Sequence, residues 1–160
     1  MLQFDEHGHL APCEITELTL PEFEAVFVDG LRDQTHRRAL FEDYLLFVDA
    51  VKKSFGVPFH QWIAGSFVTM KEFSGDIDTV TFLPHDLMMR KMERVQYFKV
   101  FGQETYRVDA SFSPVCKWNH RFFETARIWE ADYFNLYSLS RPDENLIKHP
   151  KGIVKLNFLP

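Results

Sequence analysis

Between residues 41 and 55 apolar side chains return every three or four positions. Phe41, Tyr44, Leu45, Val48, Val51 and Phe55 make one stripe down a helix. The spacing predicts a helix over Thr35–Lys53, with Lys52 and Lys53 in its last turn and Gly56–Val57–Pro58 as its stop. A shorter helix is expected to start at Leu20–Pro21, where proline suits the first turn and Glu22 and Glu24 suit the positive end of the helix dipole. Asp29–Gly30 should end it, and Phe4–Pro12 before it reads as irregular, punctuated by Gly8 and Pro12. After Pro58 the pattern changes. Phe59–Ala64 reads as a buried strand and Asp76–Leu83 as a second, built on Ile77, Val80 and Phe82. Thr105–Phe112 reads as a third, with Tyr106, Val108, Ala110 and Phe112 on one face and Thr105, Arg107, Asp109 and Ser111 on the other. Helices are expected over His85–Gln96 and Phe122–Tyr137, a polar loop over Arg141–Pro150, and a last strand over Gly152–Phe158. This order predicts an α/β (α+β) domain, a small sheet flanked by helices.

Composition narrows the class. The 160 residues suit one domain spanning 1–160, and 46% hydrophobic residues with 17 Phe exclude a disordered chain. A net charge of -5 argues against binding extended nucleic acid through bulk charge. Cys13 and Cys116 lie far apart and form no CxxC pair, so two free thiols are expected. No apolar run reaches the length of a membrane span, and the first residues have neither a basic nor an apolar signal region. A cytoplasmic protein without a membrane partner is therefore expected.

The chemistry concentrates between Trp62 and Val80. A strand ends at Gly65–Ser66, and after a short segment Asp76-Ile77-Asp78 opens the next strand. Residues i and i+2 of a strand share a face, so the two carboxylates should stand side by side. They repel unless a cation lies between them or one holds a proton. Oxygen ligands of this kind suit Mg²⁺ or Mn²⁺. Gly65 would let a phosphate approach the backbone, and Ser66 offers a hydroxyl and an N–H, at the start of a helix if one follows. Lys71 could meet a phosphate as a point charge. Asp109, on the polar face of its strand, could either pair with Arg107 or join Asp76 and Asp78 around a metal.

With Ala64-Gly65-Ser66, a spacer from Phe67 to Gly75, Asp76-Ile77-Asp78 and a later strand aspartate, the chain resembles the nucleotidyltransferase superfamily of the polymerase-β-like fold. It is similar, more closely, to a group of short microbial proteins that share Trp-Ile-x-Gly-Ser-Phe-Val-Thr-x-Lys-Glu, then Asp-Ile-Asp, an N-terminal Gly-x-Leu-x-Pro (Gly8–Pro12) and a C-terminal Lys-Gly-Ile-Val (Lys151–Val154). The chain departs from the superfamily where Phe67-Val68-Thr69 replaces a small residue and arginine after Gly–Ser. The resemblance implies a minimal nucleotidyltransferase-like domain with a small mixed sheet. It implies Mg²⁺ or Mn²⁺ on Asp76, Asp78 and Asp109 as catalytic carboxylates, with Gly65, Ser66 and Lys71 binding a nucleoside triphosphate such as ATP. The acceptor would be a protein, a tRNA end or a small molecule. It also admits, as the alternative, a binding module with little turnover, such as the antitoxin of a toxin–antitoxin pair.

Other candidates read as ordinary structure. The seven histidines show no metal-protease spacing, and His7 and His9 are expected in solvent. Arg37, Arg38, Lys52 and Lys53 are expected as solvated helix charges. Lys148, Lys151 and Lys155 with Arg141 read either as a basic rim beside the site or as a solvated edge. Trp118, Phe122, Phe123, Trp129, Tyr133, Phe134 and Tyr137 are expected in the core.

Overall fold

Thr19 opens the helical part of the chain. Its side chain caps the backbone N–H of Glu22, and the Glu22 carboxylate returns to the Thr19 N–H at 2.8 Å. The helix that follows, α1 (Leu20–Glu24), passes into one π-helical turn over Ala25–Asp29 and stops at Gly30. Helix α2 runs over Gln34–Phe55, slightly longer than the apolar stripe predicts. It buries Leu40, Phe41, Tyr44, Phe47, Val48, Val51 and Phe55. Gly56 ends it in the left-handed region (φ 65°), and its N–H bonds to Lys52 O at 2.8 Å.

The computed structural model describes residues 2–160. A two-stranded hairpin, β1 (Gln3–Phe4) and β2 (Leu10–Ala11), orders the segment expected to be irregular. The remaining strands are β3 (Ile15–Leu18), β4 (Phe59–Ala64), β5 (Ile77–Pro84), β6 (Val108–Val115) and β7 (Ile153–Phe158). They form one mixed sheet in the order β3-β7-β4-β5-β6. Its ends are parallel pairs, β3 with β7 and β5 with β6, and β4 runs antiparallel to both of its neighbours. The α+β class predicted from the sequence is the class observed. No described helix is long and apolar enough to cross a membrane.

The connection from β5 to β6 differs from expectation. In place of one helix over His85–Gln96 there are two, α3 (His85–Arg90) and α4 (Met92–Tyr106), broken at Lys91 (φ -112°, ψ 32°). Thr105 and Tyr106 therefore end a helix and do not begin a strand. Arg107, in the left-handed region at φ 51°, caps that helix through its N–H to Gln103 O (3.1 Å). Its side chain turns away from β6 and binds Asp43 at 2.6 Å and Ala39 O at 2.9 Å, so the Arg107–Asp109 pair, one of the two alternatives for Asp109, does not form.

The main core lies between one face of the sheet and α1, α2 and α4. A buried polar chain crosses it, from Tyr44 Oη to Gln61 Oε1 (2.7 Å) and from Gln61 Nε2 to Thr81 Oγ1 (2.8 Å). On the other face Trp62, Val80, Phe82 and Ile153 pack under helix α5 (Phe123–Tyr137) through Tyr133, Phe134 and Tyr137. The aromatic group assigned to the core is thus split. Trp118, in the turn before α5, is 83% exposed, and Trp129 is 44% exposed because α5 covers only this smaller cluster and leaves much of its apolar surface to solvent. Arg37, expected in solvent, is wholly buried.

Candidate functional site

Two strands bring the carboxylates together. The Ile77 N–H donates to Arg107 O at 3.0 Å, aligning the starts of β5 and β6. From there Asp78 pairs with Asp109 and Thr79 with Ala110. Neighbouring strands lie about 4.8 Å apart, so Asp78 and Asp109 stand side by side. Asp76 sits one residue before β5, not within it as the Asp-x-Asp pattern implies. It lies near enough for its charge, like that of Asp109, to act on Asp78.

The third side of the site is the turn that leaves β4. Ala64 pairs with Asp78, so Gly65 follows directly over the Asp78 side chain. Gly65 has φ +72°, and a Cβ there would lie 1.6 Å from Asp78 Oδ2. The carboxylate occupies the space that any other residue would fill, which accounts for glycine on both steric and backbone grounds. No helix follows Ser66. Residues 65–68 form a turn, and Ser66 O accepts from the Thr69 N–H (3.1 Å) and hydroxyl (2.7 Å). Asp78 is half-buried among like charges. Burial first, then Asp76 and Asp109, push its carboxyl up to about 6, against the pull of Lys151 and Arg141.

Arg37 holds this turn in place. Its Nε donates to Asp33 Oδ1 (2.7 Å), Nη1 to Phe27 O (3.0 Å) and Phe67 O (2.6 Å), and Nη2 to Thr69 O (3.0 Å) and Lys71 O (2.8 Å). All the donors of a guanidinium are used. Asp33 also accepts the Phe73 N–H at 2.8 Å. The hairpin closes over the turn from outside, with His9 bridged to Thr69 and Met70 N bonded to Gly8 O at 2.8 Å.

Spanning residues 2–157, the sequence matches a family of unknown function, DUF6932. The chain belongs to this family. No curated protein and no solved structure matches it. In this DUF6932 chain the structure sets Asp78 beside Asp109 and beneath Gly65 and leaves Asp76 just before β5, but separates Lys71, whose side chain is exposed and whose carbonyl is tied to Arg37. The positive charges near Asp78 are Lys151 and Arg141. Both belong to the group read from sequence as a rim or a solvated edge; Lys155 of that group pairs with Glu17 at 2.9 Å, and Lys148 is exposed. Tyr137, at the end of α5, also faces the site. Burial, reinforced by Asp78 and Asp109, pushes its hydroxyl up to about 12 despite a hydrogen bond with Ser111. His9, expected in solvent, is partly buried beside His7 and His149, whose own rings lie 3.9 Å apart.

The carboxylate site suits a hard divalent cation. It offers only oxygen donors, it is open on the exposed Asp109 side, and its electrostatics are those of a site short of positive charge. The oxygens of Asp76, Asp78 and Asp109 do not all lie within 4.8 Å of one another; the group of described residues whose ligand atoms are close enough for a metal is His85, Asp86 and His120. Its hydrogen bonds say otherwise. The Phe122 N–H donates to His120 Nδ1 at 3.1 Å, so Nε2 carries the proton and donates to Asp86 Oδ1 at 3.2 Å. His85 Nδ1 meets the same oxygen at 2.9 Å. This is a clasp between α3 and the turn before α5, with no lone pair on His120 Nε2 for an ion.

Proposed function

We propose that the protein is a metal-dependent nucleotidyltransferase that moves a nucleoside monophosphate from a triphosphate onto a hydroxyl acceptor. The observation that carries this reading is the strand register that sets Asp78 beside Asp109 beneath the Gly65 turn, with Asp76 two residues before Asp78. Asp76, Asp78 and Asp109 would hold Mg²⁺ or Mn²⁺. When bound, such ions make an acceptor hydroxyl more acidic and neutralise charge on the leaving pyrophosphate. The chain's own part is positional: paired strands fix Asp78 against Asp109, and the Arg37-anchored turn fixes the backbone above them. Acceptor chemistry of this class needs little from the protein beyond alignment and charge.

The test is transfer of label from α-labelled nucleoside triphosphates, with Mg²⁺ or Mn²⁺, to the protein itself or to material it captures from its native cell. Asp76→Asn should abolish transfer while leaving the fold intact. Wild-type protein that binds neither metal nor nucleotide would refute the reading.

A second reading, a binding module of the antitoxin kind, is favoured by one feature. A groove of about 390 Å³ opens between α4 and α5, lined by Met92, Val95, Phe112, Trp129 and Leu136. Trp129 and Leu136 are exposed large apolar groups of the sort that anchor interfaces. On that reading partner capture survives Asp76→Asn.

A further inference from the structure

Lys151 is the only buried lysine among the described residues, at 8% exposure. An ammonium brought close to low-dielectric surroundings is costly unless it is paired or reaches water. Arg37, the other buried cation, meets that cost with a full set of hydrogen bonds. The Lys151 ammonium has no hydrogen bond and no ion pair among the described residues. Its backbone is nevertheless fixed. The Lys151 N–H donates to Ser138 O at 2.8 Å and the Gly152 N–H to Leu10 O at 2.6 Å. A Cβ on Gly152 would lie 2.8 Å from Pro12 O, so the segment is clamped under the hairpin. The β4–β7 register, with Ile63 opposite Val154, brings Lys151 to the end of β4 at the Gly65 turn, and Asp78 and Arg141 are the charges that act on its ammonium.

A lysine with a buried stem, a fixed backbone and an ammonium without a protein partner, beside an open cleft, is a site for an anion. A bare anion would be repelled by Asp76, Asp78 and Asp109, so the anion must arrive with its own cation. We propose that Lys151 and Arg141 form an anion-binding wall opposite the carboxylates, and that its ligand is a phosphate chain carried in as its divalent-metal complex. This rests on the nucleotidyltransferase reading and gives the phosphate-binding part to Lys151 and Arg141 in place of Lys71. The carboxylates take the metal face of the complex, and Lys151 and Arg141 take its remaining phosphate oxygens.

Calorimetry on the full chain tests this, with Mn²⁺ alone and then inorganic pyrophosphate in saturating Mn²⁺. Lys151→Met removes the charge and keeps much of the stem. It should lower pyrophosphate affinity about 10- to 100-fold, the loss expected for one charge-assisted contact. Mn²⁺ affinity should hold or rise, because a neighbouring positive charge is gone. Lys71→Met should leave both unchanged. Arg141→Gln, at a more exposed position, gives the same test if Lys151→Met fails to fold. Unchanged pyrophosphate binding in the folded Lys151 or Arg141 variant, with Mn²⁺ still bound, overturns the wall alone. Wild-type protein that binds no Mn²⁺ overturns the metal reading and the wall together.

Discussion

Gly65→Ala is the sharpest perturbation the site offers. The new methyl would lie 1.6 Å from Asp78 Oδ2 and 2.5 Å from its Cγ, so the carboxylate must move. Two costs follow. Alanine in the left-handed region costs about 1–2 kcal/mol, and driving Asp78 out of its rotamer costs about 0.5–1.5 kcal/mol. Against them, alanine narrows the unfolded ensemble, a gain of about 0.4–1 kcal/mol. The net loss should be about 1–2.5 kcal/mol, or roughly 2–8 °C in Tm for a chain of this size. A double-mutant cycle in urea separates the two costs. In an Asp78→Ala background only the backbone cost remains, so the coupling between the positions should be about 0.5–1.5 kcal/mol. Mn²⁺ should raise the Tm of the wild type and not that of Gly65→Ala. Zero coupling would refute the view that the glycine exists to make room for the carboxylate.

Two further outcomes follow from the charges. With Asp78 raised to about 6 from an ordinary 3.8, the folded protein binds the extra proton between those values. Stability from protonated Asp78 is complete below about 3.8 and is lost as pH rises through about 6. Metal-free Asp78→Asn should thus be more stable than wild type at pH 8 and lose that advantage near pH 4; thermal melts across this range check it, and a pH-independent difference would contradict it. Arg37→Met strips the carbonyls of Phe27, Phe67, Thr69 and Lys71 and the Asp33 carboxylate of their shared donor. It should cost at least about 3–5 kcal/mol in urea unfolding; a loss below about 1 kcal/mol would mean that water replaces the guanidinium.

What could be read from the chain was whatever repeats with a period. The stripe on α2 and the runs in β4, β5 and β7 are set by which positions face the core, and the residues say so directly. The alternation of Val108, Asp109 and Ala110 likewise placed Asp109 outward beside β5. The same rule failed two residues earlier, because Tyr106 and Val108 match a strand pattern across a helix end that Arg107 makes by a left-handed turn. Arg37 was illegible for another reason. Four of its five partners are backbone carbonyls, which leave no mark in a sequence, and a helical arginine is ordinarily solvated. Lys151 was visible as a charge near the site, but its burial depends on the hairpin folding over it. The aromatic residues of α5 announced apolar surface without saying whether the chain itself would cover it.

The guanidinium of Arg37 ties the kinetics of the Gly65–Lys71 turn to those of the whole molecule. Loops that carry chemistry commonly open by local fluctuation, at a small fraction of the global unfolding free energy. This turn cannot peel away without breaking its bonds to Arg37, which is itself embedded between α2 and the π-helical turn. Its backbone protons at Thr69 and Met70, bonded to Ser66 O and Gly8 O, should exchange with solvent as slowly as those of β4 and β5. Access to the carboxylates then has to come from the Asp109 side, along a path that is already open, and not from the lifting of a lid.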